Sequence, residues 1–581
     1  MRKLLKYLRN YKKESVIGPL FKMTEAVFEL LVPIVMAKIV DIGIKNRDMH
    51  YVMMMCIVMV LLGILGLACS LTAQYFAAKA AVGFGTELRS DMYAHINSFS
   101  FREIDEVGTS TLVTRITSDI NQAQTGVNMA LRLFLRSPFI VVGAVIMSFT
   151  ISIKLSLIFV IMVPVLSLII FGIMGKCIPL YKKVQKKLDR VLLSTRENLT
   201  GARVIRSFSR QSEELRIFEE QTDDLTVTQL FVGKVSALMN PLTYVVVNGA
   251  IIAILWFGGK EVYHGAITQG ELLALINYMT QILVALVAFA NLISNVTKAL
   301  ASAGRINEVF EVSCLMEAGS EMVDITKSHG TTAVEFEDVT FHYGGAEESA
   351  LEDISFTAKA GQTIGVIGGT GSGKSTLISL IPRFYDVTKG SLSLFGKDVK
   401  TIKPEEMIRL VGVVPQKAVL FAGTIRDNMK WGKKDATDEE IWRALDIAQA
   451  KEFALDKEGG LDARITQNGE NLSGGQRQRL TIARALVKQP EILILDDSAS
   501  ALDFATDAAL RKAIKESTEN TTVFLVSQRA TTIKNADQII VLEDGRIAGI
   551  GKHEELFHSC DIYKEICLSQ LSKEEVQGYE K

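Results

Sequence analysis

The sequence predicts two fold classes in series: an all-α half of six long apolar helices, then an α/β half on a parallel sheet. Three observations carry this. Segments 16–44, 52–80, 132–152, 154–176, 237–258 and 271–297 each approach or exceed the ~20 apolar residues that cross a bilayer. Near residue 330 the long apolar runs give way to denser Gly, Asp, Glu and Lys. Beyond that shift, Gly368-Gly369-Thr370-Gly371-Ser372-Gly373-Lys374-Ser375 separates a short apolar run at 363–367 from a helical pattern at 374–381. That is the strand–loop–helix layout of a phosphate-binding loop. At 581 residues the chain exceeds a single core. The expected division is a membrane half at 1–310, a polar linker at 311–330 and a second half at 331–581.

Each membrane element has its own warrant. The first residues are basic, with Leu4, Leu5, Leu8 and Tyr11 on one helical face, which reads as a helix lying in the membrane interface. No short apolar core with a cleavage site follows, so a cleaved leader is not expected. An even number of spans returns the chain to the side on which it began, with the N-terminus and the second half on the cytoplasmic side. Spans 1–2, 3–4 and 5–6 are joined by short outer loops. Residues 81–131 and 177–236 are polar but keep helical periodicity, as at Leu112, Ile116 and Ile120 or Leu188, Leu192 and Leu199. They predict spans prolonged as long cytoplasmic helices, with turns near Gly108-Thr109-Ser110 and Ser209-Arg210-Gln211-Ser212.

Polar groups inside spans are costly and are candidates for function. Glu25 and Glu29 share a face of span 1. Asn240 and Asn248 lie on span 5, and Asn277, Gln281, Asn291 and Asn295 on span 6. A common cavity would explain them, with Glu25, Glu29, Asn248, Asn277 and Gln281 meeting substrate and the carboxylates favouring cations. Helix–helix hydrogen bonding is the alternative. A net charge of −1 provides no basic field for nucleic acid. Cys56, Cys69, Cys177, Cys314, Cys560 and Cys567 form no Cys-x-x-Cys pair and suit reduced thiols.

In the second half, loop glycines let backbone N–H groups crowd an anion. Lys374 reaches the terminal phosphates, and the Ser375 hydroxyl sits on Mg²⁺. Ile492-Leu493-Ile494-Leu495-Asp496 places a carboxylate at a strand end, suited to hold the same ion through water. Leu472-Ser473-Gly474-Gly475-Gln476 completes the set. On these motifs, residues from about 331 to 570 resemble ATP-binding cassette (ABC) domains. The order of the two halves resembles ABC exporters over nearly the whole chain.

The resemblance implies ATP and Mg²⁺ as cofactors. It implies nucleotide contacts from Tyr343 (adenine stacking), Gly368, Gly369, Thr370, Gly371, Ser372, Gly373, Lys374, Ser375 and Thr376. Gln416 would link the metal to the membrane helices, so Ser375, Gln416 and Asp496 form the metal set. Ser473, Gly474, Gly475 and Gln476 would bind the γ-phosphate held by a partner. Gln467-Asn468-Gly469-Glu470 matches a cross-talk loop, and Ser500-Ala501-Leu502-Asp503 matches the loop at the dimer seam, with Asp503 included in the nucleotide set.

Two positions depart from the family. Its catalytic glutamate is Asp497 here, one methylene short, and ~1 Å of misplacement can cost ~10²-fold in rate. Its switch histidine is Gln528, which hydrogen-bonds but carries no proton-dependent charge near pH 7. Both losses fall on the half-site formed by this chain's own phosphate loop, while the Ser473 motif is intact. The implied assembly is a heterodimer whose second half-transporter has Glu and His at these positions. The implied function is ATP-driven export of amphipathic or cationic small molecules across the plasma membrane. A homodimer, a lipid or peptide exporter, and an ATP-gated regulator or channel are the alternatives.

Overall fold

The computed structural model describes residues 2–570 except 314–315, 317, 324–330, 345, 347, 499–501 and 518–519. Ser500 and Ala501, much of the expected linker and Cys314 lie outside the described residues. The chain forms two compact units: Met1–Asn97 with Thr109–Val312, and Ser98–Gly108 with Ser313–Lys581. Residues 98–108, which the sequence assigned to the membrane half, thus belong to the second unit.

In chain order the first helices are α1 (Lys12–Lys38), α2 (Met49–Asn97), α3 (Phe101–Val107), α4 (Thr109–Thr114), α5 (Ile120–Leu133), α6 (Arg136–Ile151), α7 (Ile153–Thr200), α8 (Ala202–Ser207), α9 (Gln211–Ala237), α10 (Met239–Tyr263) and α11 (Gln269–Glu311). All but α3 are in the first unit. Five helical stretches among the described residues are long and apolar enough to cross a membrane: Met49–Asn97, Thr109–Ile151, Ile153–Thr200, Gln211–Tyr263 and Gln269–Glu311. The expected span at 16–44 is helical but carries Lys22, Glu25, Glu29, Lys38 and Asp41, which interrupt its apolar run. Helices α2 and α7 run unbroken for 49 and 48 residues. At ~1.5 Å per residue each is more than twice as long as the ~30 Å hydrocarbon core.

The N-terminal residues differ from expectation in period. Arg2–Tyr11 is a 3-10 coil, so side chains three apart align, and Leu4 and Tyr7 are buried while Leu5 is exposed. Tyr7 packs edge-on against Phe84 of α2. The segment therefore spends its apolar face on α2, and the four-residue stripe of Leu4, Leu5, Leu8 and Tyr11 does not form.

Leu30, Phe159, Ile254, Leu275 and Ile282 fill the core of this unit, and the buried Tyr278 hydroxyl donates to Leu30 O at 2.7 Å. A π-turn at Ile39–Ile44 carries Asp41 to the start of α11. There it accepts from Gly270 N at 2.8 Å and from Thr268 Oγ1 at 2.5 Å. A side chain on Gly270 would place its Cβ 2.3 Å from Ala37 O, so glycine is what lets the two helices close.

The second unit holds β1 (Thr332–Phe341), β2 (Leu351–Lys359), β3 (Thr363–Gly368), β4 (Lys389–Leu394), β5 (Lys397–Asp398), β6 (Val411–Val414), β7 (Gly423–Thr424), β8 (Arg464–Ile465), β9 (Ile492–Asp496), β10 (Thr522–Val526), β11 (Gln538–Glu543) and β12 (Arg546–Gly551). The main sheet has the order β12-β11-β3-β10-β9-β6, parallel from β11 to β6 with β12 antiparallel at the edge. Its strands are near-continuous apolar runs because both faces are covered. A second, antiparallel sheet has the order β2-β1-β4-β5.

Helix α3 is capped by a reciprocal Ser100–Glu103 box. Phe101 packs on Phe384 with ring centres 4.5 Å apart, and Tyr385 donates to Asp105 Oδ2 at 2.6 Å.

Candidate nucleotide-binding site

Strands β3, β10 and β9 are neighbours and parallel, so their C-terminal ends deliver three loops to one edge, where open α/β sheets bind ligands. From β3 comes the glycine loop leading into α12 (Lys374–Leu380). From β10 come Ser527 and Gln528, and from β9 come Asp496 and Asp497. They line a pocket of about 590 Å³ together with Tyr343, Thr370, Gly371, Gly373, Lys374, Ser375, Thr376 and Gln416. Gly371 and Gly373 have φ of 85° and 94°, a region that glycine enters without steric cost. At Gly368 a Cβ would meet Leu542 O at 2.1 Å.

The charges are arranged around this loop. Lys374 Nζ donates to the carbonyls of Gly368 at 3.0 Å and Gly369 at 2.5 Å. Burial lowers its pKa, while Asp496 and Asp497 oppose that shift. Ser375 Oγ donates to Asp496 Oδ1 at 3.3 Å. Burial raises the Asp496 pKa; its hydrogen bond to Ser375 and the charge of Lys374 pull it down, and Asp497 raises it further. Gln416 Nε2 donates to Asp497 Oδ2 at 3.4 Å. Asp497 adopts φ 43°, a left-handed conformation that Asp tolerates better than most residues, and its N–H donates to Val526 O at 3.0 Å. Tyr343 shares a 3.0 Å hydrogen bond with Thr376 and sits edge-on to Phe341 and Tyr385.

The remaining expected residues sit elsewhere. Ser473, Gly474, Gly475, Gln476 and Asp503 do not line this pocket. Ser473 caps the Gly474–Leu486 helix: its Oγ accepts from Gln476 N at 3.2 Å, and Gln476 Oε1 accepts from Ser473 N at 3.0 Å. The motif thus builds its own helix start while leaving the glycine amides at the positive end of the dipole. Asp503 accepts from Thr506 N and Oγ1, which caps the Phe504–Ser517 helix and holds the carboxyl below its ordinary pKa.

In the first unit, Glu29 forms an ion pair with Arg136 at 2.8 Å and Glu25 pairs with Lys22. Glu25 also lies 3.9 Å from Arg136. Two acids and two bases sum to zero, so the field expected to draw cations is cancelled locally. Asn248 and Asn277 donate to carbonyls of their own helices, and Gln281 reaches Glu29 O on α1 at 3.4 Å.

Sequence reading missed Ser349, Ala350, Asp544 and Gly545 at the pocket rim. The Asp544-Gly545 dipeptide between two apolar runs was a legible hairpin signal. It also missed Gln570, whose amide donates to Gln528 O at 2.8 Å and accepts from Ala530 N at 2.9 Å; nothing local in the sequence marks that long-range contact.

Residues 15–286 match the family described as ABC transporter transmembrane region, and residues 351–500 match the one described as ABC transporter. An uncharacterized ABC transporter ATP-binding protein of Bacillus subtilis, YfiB, is 37% identical over 575 residues, 99% of each chain. An ATP-dependent lipid A-core flippase of Desulfotalea psychrophila is 33% identical over 472 residues, 81% of this chain and 82% of its own. A putative multidrug export ATP-binding/permease protein of Bacillus subtilis, YgaD, is 30% identical, covering 97% of this chain and 98% of its own. The solved structure of a bacterial Atm1-family ABC exporter with ATP bound has the same fold, with TM-score 0.76 at 22% identity over 97% of this chain and 99% of that one. Phosphate loop, strand-end carboxylates and membrane helices in one polypeptide thus have a common explanation: the chain belongs to the ABC transporter family, its cassette an ATPase coupled to transport.

Proposed function

We propose that this chain is one subunit of a heterodimeric exporter of amphipathic small molecules. It supplies a slowly hydrolysing ATP site and an intact signature to the partner's faster one. The observation that carries this reading is the placement of Asp497 and Gln528 against the nucleotide pocket, where a longer carboxylate and an imidazole would otherwise serve, beside an undamaged Ser473 helix start. Tyr343 stacks the adenine, the glycine loop and Lys374 hold the phosphates, and Asp497 orients the attacking water with reduced reach. Gln528 binds the γ-phosphate without supplying a charge.

The oxygen donors Ser375, Asp496 and Gln416 suit Mg²⁺, a hard cation. Two neighbouring carboxylates, one with its pKa raised by burial, are also what a divalent ion would neutralise. Bound there, Mg²⁺ would offset phosphate charge. ATP binding favours the closed state only through its tighter affinity for that state. The N-terminus and the cassette face the cytoplasm, and the membrane is the plasma membrane.

Local neutralisation of Glu25 and Glu29 removes the support for a cation preference and leaves amphipathic molecules as the substrate class. The names of two relatives, a lipid A-core flippase and a putative multidrug exporter, support that class. ATP turnover by the chain purified alone in lipid tests the heterodimer. ATP binding with almost no turnover is expected. Turnover of ~1 s⁻¹ or more, within the ordinary enzyme range, would establish a working homodimer.

A further inference from the structure

We propose that the basic face of α7, just past its membrane span, binds the headgroups of anionic phospholipids. Helix α7 runs unbroken from Ile153 to Thr200, and its two sides differ. Leu155, Phe159, Leu166, Ile170 and Cys177 are buried against the rest of the unit. On the opposite side, at about 100° per residue, Leu157, Ile161, Val165 and Leu168 are exposed, Leu168 by 76%. That side stays apolar through Gly172 and Gly175, as a surface against hydrocarbon must. Lysines bracket it. Lys154 and Lys176 lie on this face 22 residues apart, about 33 Å at ~1.5 Å per residue. That matches the ~30 Å of a hydrocarbon core and sets Lys176 at its boundary.

Beyond Lys176 the same face turns basic. Lys182, Lys183 and Lys186 follow on it, and all four lysines are exposed. The later three stand about 9, 10 and 15 Å past Lys176 by the same rise. A headgroup layer is ~5–8 Å deep, lysine stems reach back toward it, and charges stay effective over a screening length of ~8 Å. Among the described residues no ion pair engages these four. Neighbouring Lys187 is committed to Asp224 and Thr228 of α9, which sets the register of the two helices. Toward the membrane α9 therefore presents residues 225–235, which contain no acid and add Lys234. The nearest acid on α7, Asp189, lies past Lys186 and accepts from Gln185 Nε2 at 3.0 Å. With four cations and no acid, the face offers nothing to the ammonium of a zwitterionic headgroup, so it selects a net negative one. A soluble polyanion has no chain to lay on Leu168. An anionic lipid presents phosphate and acyl chain in the order in which the face presents lysine and leucine. The proposal is independent of which substrate is exported.

The full chain in nanodiscs provides the test. Trp256→Phe removes the tryptophan of α10. Gly172→Trp, where a Cβ meets nothing within 4 Å, then places a reporter on the face about one turn before Lys176. Trp431 and Trp442, in the second unit, give a constant background. Phosphatidylglycerol or phosphatidylcholine with brominated chains is titrated in turn into unbrominated phosphatidylcholine, and tryptophan quenching is followed. A lysine near an anionic surface favours it roughly fivefold, so phosphatidylglycerol should reach half-quenching at about a tenfold lower mole fraction than phosphatidylcholine. Replacing Lys176, Lys182 and Lys183 together by Gln should make the two lipids equal, and replacing them by Arg should keep the preference. If the Gln variant does not fold, Lys183→Gln alone should lower the preference several-fold. Salt at ~1 M, which shortens screening to ~3 Å, should also collapse it. Equal quenching by the two lipids in the parent overturns the proposal, and is what lysines that merely orient the span would give. So does a preference that the Gln variants retain, or a reporter that neither lipid quenches because protein covers the face.

Discussion

At the scale of single residues, Asp497 and Gln528 are the informative positions. Both line the pocket beyond the ends of β9 and β10, where short strand-end segments fix backbone position closely. Replacing Asp497 with Glu and Gln528 with His together should raise ATP turnover of the assembled transporter by about 10- to 100-fold at this site, the scale that reach and general-base catalysis command. Unchanged turnover in a coupled phosphate-release assay would reject the slow-site reading. The intramembrane glutamates are the opposite case. Their spacing on α1 was legible, but their neutralisation was not, because Arg136 lies 107 residues from Glu29 and no local pattern pairs them. Lys488 makes a further prediction. Burial lowers its pKa to about 8, while its Nζ donates to Ile408 O and Val411 O. The unfolded chain, with an ordinary lysine near ~10.4, binds the extra proton between those values. This residue's contribution to stability is therefore least favourable below pH 8 and improves as pH rises toward ~10.4. Subtracting denaturation curves of Lys488→Met from the parent across pH 7–10 should show that slope, and a flat difference would exclude it.

At the scale of elements, the Gly474–Leu486 helix shows one motif serving two ends. Ser473 closes the helix start and belongs to the signature assigned to the partner's phosphate. Ser473→Ala should therefore lower cassette stability by ~1 kcal/mol, as loss of an N-cap does. It should also suppress turnover at the partner's site far more than at this one. Loss of stability with full turnover would leave only the structural role. Helix α3 makes a second prediction through Tyr385. Burial and the Asp105 carboxylate both raise the pKa of the Tyr385 hydroxyl, so it stays protonated and donating. Asp105→Ala removes a solvent-accessible hydrogen bond, for a loss of about 0.5–1.5 kcal/mol by thermal denaturation of the full chain. Helix existence was well read from periodicity, since α2 and α7 run through the polar stretches as expected. The membership of α3 in the second unit was not, because seven residues carry too little pattern to reveal what they pack against. The N-terminal coil was misread for a similar reason, since period three and period four cannot be separated over one short segment.

At the scale of the whole molecule, one closure and one long helix define the membrane half. Asp41 ties the end of the first helical path to the start of the last, across a glycine whose Cβ would collide with backbone. Gly270→Ala should force α1 and α11 apart and cost about 1–3 kcal/mol, the range for overpacking, read as a lowered denaturation midpoint in lipid. A neutral effect would mean that the contact yields easily. The second feature is the junction after α2. That helix, about 74 Å long by ~1.5 Å per residue over its 49 residues, is separated from α3 by Ser98, Phe99 and Ser100 alone. Within its own unit, an unbroken helix of that length has no interior joint, so a displacement imposed at one end reaches the other as translation or tilt and not as a bend.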